Sequence, residues 1–187
     1  MALNVKIDFD NCYETEPLSA DLSISKFNTE LHDGNIIPLG VLTHPLLPDV
    51  YNLSFGPINT DGKVDDGARI THADHSKVFS TIIFTALAFL TNNTEKFLGI
   101  DGSNNARAYL YFRLIQNNYD LLTQYFDIYG VNYCVRVLRK IKDSDDNHPV
   151  DSQDIKAIPV IIKERELVHS EKLYNYFIFR AKQEDKA

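Results

Sequence analysis

The sequence predicts an α+β fold: a single domain, residues 1–187, in which a mostly antiparallel, mixed sheet of about five or six strands packs against two or three helices. Three observations carry this prediction. Short runs rich in β-branched and aromatic residues are bounded by turn dipeptides, two stretches switch to a helical apolar period, and further strand-like runs follow the helices. With 187 residues, 44% hydrophobic and 24% charged, the chain is long enough to bury a sizeable core. Its 10 Tyr and 11 Phe, with no Trp and a single Met, make aromatic rings the main filling and leave some of them for an interface.

Along the chain, Val5 to Phe9 alternates apolar and polar, which predicts a short strand. The stretch "ADLSISKF" reads as a strand or a turn of helix. "NIIPLGVLTH" and "DVYNLSFGPI", separated by "PLLPD", predict two antiparallel strands joined by a Pro-bearing turn. Asp61-Gly62 and Asp66-Gly67 are strong turn dipeptides, and a short strand is expected near residues 68–70. From Asp74 a helix places Val78, Ile82, Ala86 and Leu90 on one stripe, widened by Phe79, Ile83 and Leu87. That width predicts packing against a sheet. Thr71 with Asp74 three residues on reads as its capping box.

"KFLGID" then reads as an inner strand, and a helix opens near Ser103 or Asn104. A second helix carrying Leu121, Leu122, Tyr125 and Phe126 is expected to end before Gly130 as its C-terminal cap. "NYCVRVL", "KAIPVIIKE" and "KLYNYFIFRAK" return to strand composition, while the acidic stretch 143–154 reads as a mobile loop.

The net charge of −7 makes the average surface repel polyanions, which disfavours bulk nucleic-acid binding. The clearest basic run, Arg136, Arg139, Lys140 and Lys142, is answered at once by Asp143, Asp145 and Asp146. The N-terminal stretch lacks an apolar core behind a basic start, and no window approaches the ~20 apolar residues of a membrane span. Cys12 and Cys134 lie far apart without paired spacing, as expected of reduced thiols in a cytoplasmic protein, where Asn52 and Asn92 are coincidental Asn-x-Ser/Thr matches. No cofactor is indicated.

The leading candidate site is the turn after "KFLGID". A strand end, Gly102, Ser103, Asn104 and a helix N-terminus present backbone N–H groups and a positive dipole end, and Arg107 lies one turn in. This outlines an anion site for a phosphate-bearing small molecule. Equally, Ser103 or Asn104 caps the helix and Arg107 pairs with Asp101 or another carboxylate. A weaker metal candidate gathers Asp65, Asp66, His72 and His75, with Asp101 further on. Adjacent Asp65 and Asp66 point to opposite faces of a strand, however, and the spacing matches no calcium loop. Ser54, Ser76, Ser80 and Ser103 lack a nucleophile elbow. His32, His44, His148 and His169 are scattered and read as surface or turn residues.

Taken in order, "YNLSFGPIN", "VDDGARITHADHSKVFSTI", "IDGSNNARAYLYFRLIQNN" and "YFDIYG" resemble an uncharacterised bacterial domain family. Its members share an Asn-Leu-x-Phe-Gly strand, an Asp-Asp turn, a Gly-Ser-x-x-Ala-Arg-x-x-Leu-Tyr segment and an aromatic-rich ending at Gly. The match runs from about Asn35 to Gly130, and Gly102, Ser103, Ala106, Arg107, Leu110 and Tyr111 fit position by position. Tyr109 stands where members often carry a second Arg, and Pro57 where they carry an acidic residue. The resemblance implies a fold more than an activity.

The expected function is a non-enzymatic protein-interaction or ligand-binding module of the bacterial cytosol, with a protein partner or homo-oligomer, in the manner of a defence or toxin–antitoxin operon partner. One alternative is a metal-dependent nuclease or phosphate-ester hydrolase with a ribonuclease-H-like layout, in which Asp101 joins Asp8, Asp10 or Glu30. Another is a nucleotide-sensing domain.

Overall fold

A computed structural model describes residues 4–31, 35–44, 46–66, 68, 72–102, 104–137, 150–168 and 173–183. Among these described residues eight strands form one mixed sheet: β1 (Thr15–Pro17), β2 (Ile24–Phe27), β3 (Asn35–His44), β4 (Leu47–Leu53), β5 (Phe97–Asp101), β6 (Phe126–Val137), β7 (Val150–Ile161) and β8 (Tyr176–Ala181). Their spatial order is β1-β2-β3-β4-β5-β8-β6-β7. Among the described strands only β4 and β5 pair in parallel; the other neighbours are antiparallel. Helix α1 (His75–Asn92) provides the crossover that this parallel pair requires. Helices α2 (Asn105–Asn117) and α3 (Tyr119–Tyr125) follow β5. The predicted α+β class holds, and short β1 and β2 carry the sheet beyond the expected five or six strands.

All three helices lie on one face. Val78, Ile82, Ala86 and Leu90 of α1 are buried, as their spacing predicts, in a core with Ile115 of α2, Leu122 of α3, Leu98 of β5, and Phe177 and Phe179 of β8. The opposite face carries a smaller cluster formed by Leu47, Val50, Val131, Tyr176 and Ile178. In β8 the alternation is strict: Tyr176 and Ile178 face one way, Phe177 and Phe179 the other.

Three local expectations are corrected. Val5 and Ile7 are buried as their alternation implies, but their segment joins no strand. Its N–H groups donate to side chains instead: Lys6 to Ser76 (3.0 Å), Ile7 to Asn118 (2.7 Å) and Asp8 to Ser80 (2.9 Å). Helical Ser and Asn side chains thus do for this extended segment what a neighbouring strand would do. Asp74 is itself the N-cap of α1, accepting from Lys77 N–H at 2.9 Å. Gly130 is not a helix cap but lies within β6; α3 stops at Tyr125. A Cβ there would stand 2.3 Å from Tyr174 Cγ, so the absence of a side chain lets the Tyr174 ring lie flat across the strand.

Residues 138–149, 69–70 and 32 lie outside the described residues, which takes in the short strand expected near 68–70 and most of the acidic loop. Its last five residues, Val150 to Asp154, belong to β7. β6 pairs with β8 only through Phe126–Val131 but with β7 as far as Val137. The two therefore continue past β8 as a two-stranded ribbon.

Candidate functional site at the carboxyl ends of the parallel strands

Crevices at the carboxyl ends of parallel strands are where sheets of this kind hold ligands. Here that end brings together stretches far apart in the sequence. Gly99 of β5 has no room for a side chain, because a Cβ would come within 2.2 Å of Tyr176 Cζ. The Tyr176 ring crosses the strand at this gap, and its hydroxyl donates to Asn52 Oδ1 on β4. Gly56, just beyond β4, packs so closely on the Asp65 carbonyl that a Cβ would sit 2.2 Å from the oxygen. This fixes the 56–66 turn beside the N-terminus of α2.

That N-terminus is satisfied in part from within. Asn104, the N-cap, accepts the Arg107 N–H at 3.0 Å. The Gly102 N–H donates to the Asn175 carbonyl at 2.8 Å. The Arg107 guanidinium donates to the Asp66 backbone carbonyl at 2.8 Å, which ties α2 to the turn. Gly102 is needed for space: its Cβ would meet Ala108 Cα at 2.9 Å. Ser103 lies outside the described residues.

Sheet curvature supplies the other wall. His44, at the end of β3, reaches Tyr133 on β6 although three strands lie between them in the sheet; Nε2 and the Tyr133 hydroxyl are 3.0 Å apart. The His44 ring also tilts onto Tyr176 at a centroid distance of 4.9 Å. Leu46 N–H donates to His44 Nδ1 at 3.2 Å, so the neutral imidazole carries its proton on Nε2 and donates it to the Tyr133 oxygen. The Tyr133 proton is left free to face outward.

Asp101, at the carboxyl end of β5, is the electrostatic hub. Burial raises its pKa, Arg107 opposes the shift and Asp66 adds to it. Its field in turn opposes the lowering of His44 and adds to the raising of Tyr133, Tyr111 and Tyr176, each of which is set first by burial. Among the described residues no hydrogen bond or ion pair engages the Asp101 carboxylate.

Burial pushes the His44 pKa below its ordinary value of about 6.5. The folded state then binds fewer protons there than the unfolded chain, so stability that is present above this value is lost as the pH falls through the window beneath it. Urea midpoints are expected to drop between pH 7.5 and 5.5, and to drop less in His44→Asn; equal drops in both proteins would show that His44 does not contribute.

Asp65 and Asp66 lie exposed on the turn. His72 and His75 face each other edge-on at 5.8 Å, and Asp74 between them is spent on the cap. Among the described residues no group of three or more His, Cys, Asp or Glu side chains could hold a metal ion. Sequence reasoning singled out Gly102, Arg107 and Asp101 but passed over His44, Asn52, Tyr133 and Tyr176. Only the glycine at 99, facing tyrosine 176 across two strands, carried a signal, and it is legible only once the register is known.

Fold and site together define an α+β protein with a parallel β4–α1–β5 unit, whose polar and aromatic side chains gather at that unit's carboxyl end. The chain belongs to DUF6934, a family of unknown function whose family model matches residues 11–145. No curated protein and no solved structure matches it significantly. Among the described residues no helix is long and apolar enough to cross a membrane.

Proposed function

We propose that this protein is a non-enzymatic binding module, and that the carboxyl end of the β4–β5 pair holds a cationic group presented by a partner protein or a small organic molecule. The carrying observation is Asp101: an exposed carboxylate at the end of β5 without a hydrogen bond or ion pair among the described residues, whose field reaches the His44 imidazole, the Tyr133 hydroxyl and the Tyr176 hydroxyl. A guanidinium or ammonium ion would supply the missing donors and rest against aromatic faces. A phosphate finds less here, because the Gly102 and Arg107 N–H groups and one arm of the Arg107 guanidinium already have partners. Asp66 and Asp101 also set two carboxylates against the Arg107 cation there.

The test is a set of NMR titrations with agmatine, spermidine, ATP and Mg²⁺ on the wild type and on Asp101→Asn. Agmatine or spermidine is expected to shift the resonances of Asp101, Tyr133 and Tyr176 saturably, with affinity falling at least about tenfold in the variant, equivalent to ~1.4 kcal/mol. Saturable shifts from ATP that Arg107→Ala removes would replace this reading with a nucleotide sensor. Absence of any saturable shift would overturn the site.

A further inference from the structure

A separate cleft lies behind α2, between that helix and the turn that follows β7. It measures about 480 Å³, within the ~300–1,000 Å³ of small-molecule sites. Phe112 and Leu173 form an apolar floor; Tyr109, 49% exposed, and Leu167, 99% exposed, form its rim.

The polar groups of the far wall are committed to closing the turn. Gln116 donates from Nε2 to the Lys163 carbonyl (2.9 Å) and accepts the Glu166 N–H at Oε1 (3.2 Å). Both Glu166 carboxylate oxygens are in use, one by the Tyr174 hydroxyl (2.6 Å) and one by the Lys163 N–H (3.1 Å). Arg165, with a left-handed backbone (φ 53°), turns its guanidinium to Glu164 at 3.2 Å. Asn117 donates to Asn4 Oδ1 at 3.2 Å, whereas the guanidinium of Arg113, one helical turn beyond Tyr109, has no partner among the described residues. A cation beside an apolar floor offers a counter-charge for an anionic group in a protein of net charge −7.

We infer that this cleft binds a ligand with an apolar body and a terminal carboxylate, the carboxylate paired with Arg113 and the body laid on Phe112 and Leu173. Arginine suits this because its planar fork grips a carboxylate with two parallel hydrogen bonds. Two sources carry that chemistry: a free medium-chain carboxylic acid, or the C-terminus of a peptide ending in apolar residues.

The two are separated by NMR titration of the full chain with octanoate, with N-acetyl-Leu-Leu, and with the same dipeptide as its C-terminal amide, each on wild type and Arg113→Gln. At least one of the two acids is expected to shift the resonances of Tyr109, Arg113, Gln116 and Leu167 saturably. Its affinity should fall at least tenfold in Arg113→Gln. Saturation by octanoate alone identifies the free acid, and by the dipeptide acid alone the peptide end. Equal affinity for dipeptide acid and amide would overturn the carboxylate assignment, and no saturable shift from either acid would overturn the cleft as a binding site. Because Arg113 is exposed and makes no contact that holds the fold, an unchanged wild-type-like spectrum for the variant is expected and keeps these outcomes readable.

Discussion

Asn118→Ala is expected to cost about 3–5 kcal/mol of unfolding free energy, read as a lowered urea midpoint with little change in slope. Asn118 is 7% exposed and stands where α2 passes into α3. Its Oδ1 accepts the Ile7 N–H at 2.7 Å, and its Nδ2 donates to the Val5 carbonyl at 2.9 Å and the Leu114 carbonyl at 2.8 Å. Truncation leaves a buried donor and a buried acceptor on the N-terminal segment with nothing to meet, at roughly 1–3 kcal/mol each. Asn118→Asp separates the roles: it keeps the acceptor for Ile7 but sets a carboxylate oxygen against two carbonyls. It should therefore be no milder than the alanine variant. A loss below about 1 kcal/mol for both would mean that the segment is held by Val5 and Ile7 burial alone.

Gly130→Ala is the second large effect, expected at about 3 kcal/mol, the upper end of overpacking costs. The added carbon would lie 2.3–2.6 Å from Cγ, Cδ1 and Cδ2 of Tyr174, where carbon contacts normally sit at about 3.5–4.0 Å. These atoms are the root of the ring, so a rotamer change of its tip brings no relief. The ring is also held at its far end by Glu166 and flanked by Phe112 and Phe177 at 6.4 and 6.2 Å between centroids. Combining Gly130→Ala with Tyr174→Leu should cost less than the two single changes summed, because the clash is removed with the ring. Strict additivity in thermal or urea unfolding would show that the contact is not the cause.

Much of the scaffold could be read from residue periodicity. β3 coincides with "NIIPLGVLTH", β5 lies within "KFLGID", and the buried stripe of α1 is the one its spacing marks. In α1 that pattern is decided by the one sheet face on which the helix packs. The N-terminal segment shows the limit of that logic, since its alternation reports burial on one side and is silent on whether the partner is a strand or a row of helical side chains. Gly130 shows another: a glycine after a helix suits a cap and a ring crossing equally well, and only the position of Tyr174 decides.

The candidate site was legible at one wall only. Asp101, Gly102 and Arg107 are close in sequence, so strand-turn-helix grammar exposes them. His44 and Tyr133 are 89 positions apart and meet because the sheet curls, a property of accumulated strand twist that no local spacing records.

The position of β8 has a bearing on how the molecule comes into being. Among the described strands it is the last to emerge during synthesis, yet it is the rung between β5 and β6. Until it arrives, the nascent chain holds two partial sheets, β1 to β5 and the β6–β7 ribbon, each with a bare edge open to foreign strands. Closure is therefore a long-range event that waits on β8. A fragment ending at residue 145, where the family match stops, would lack β7 as well as β8 and would leave the β5 edge bare for good.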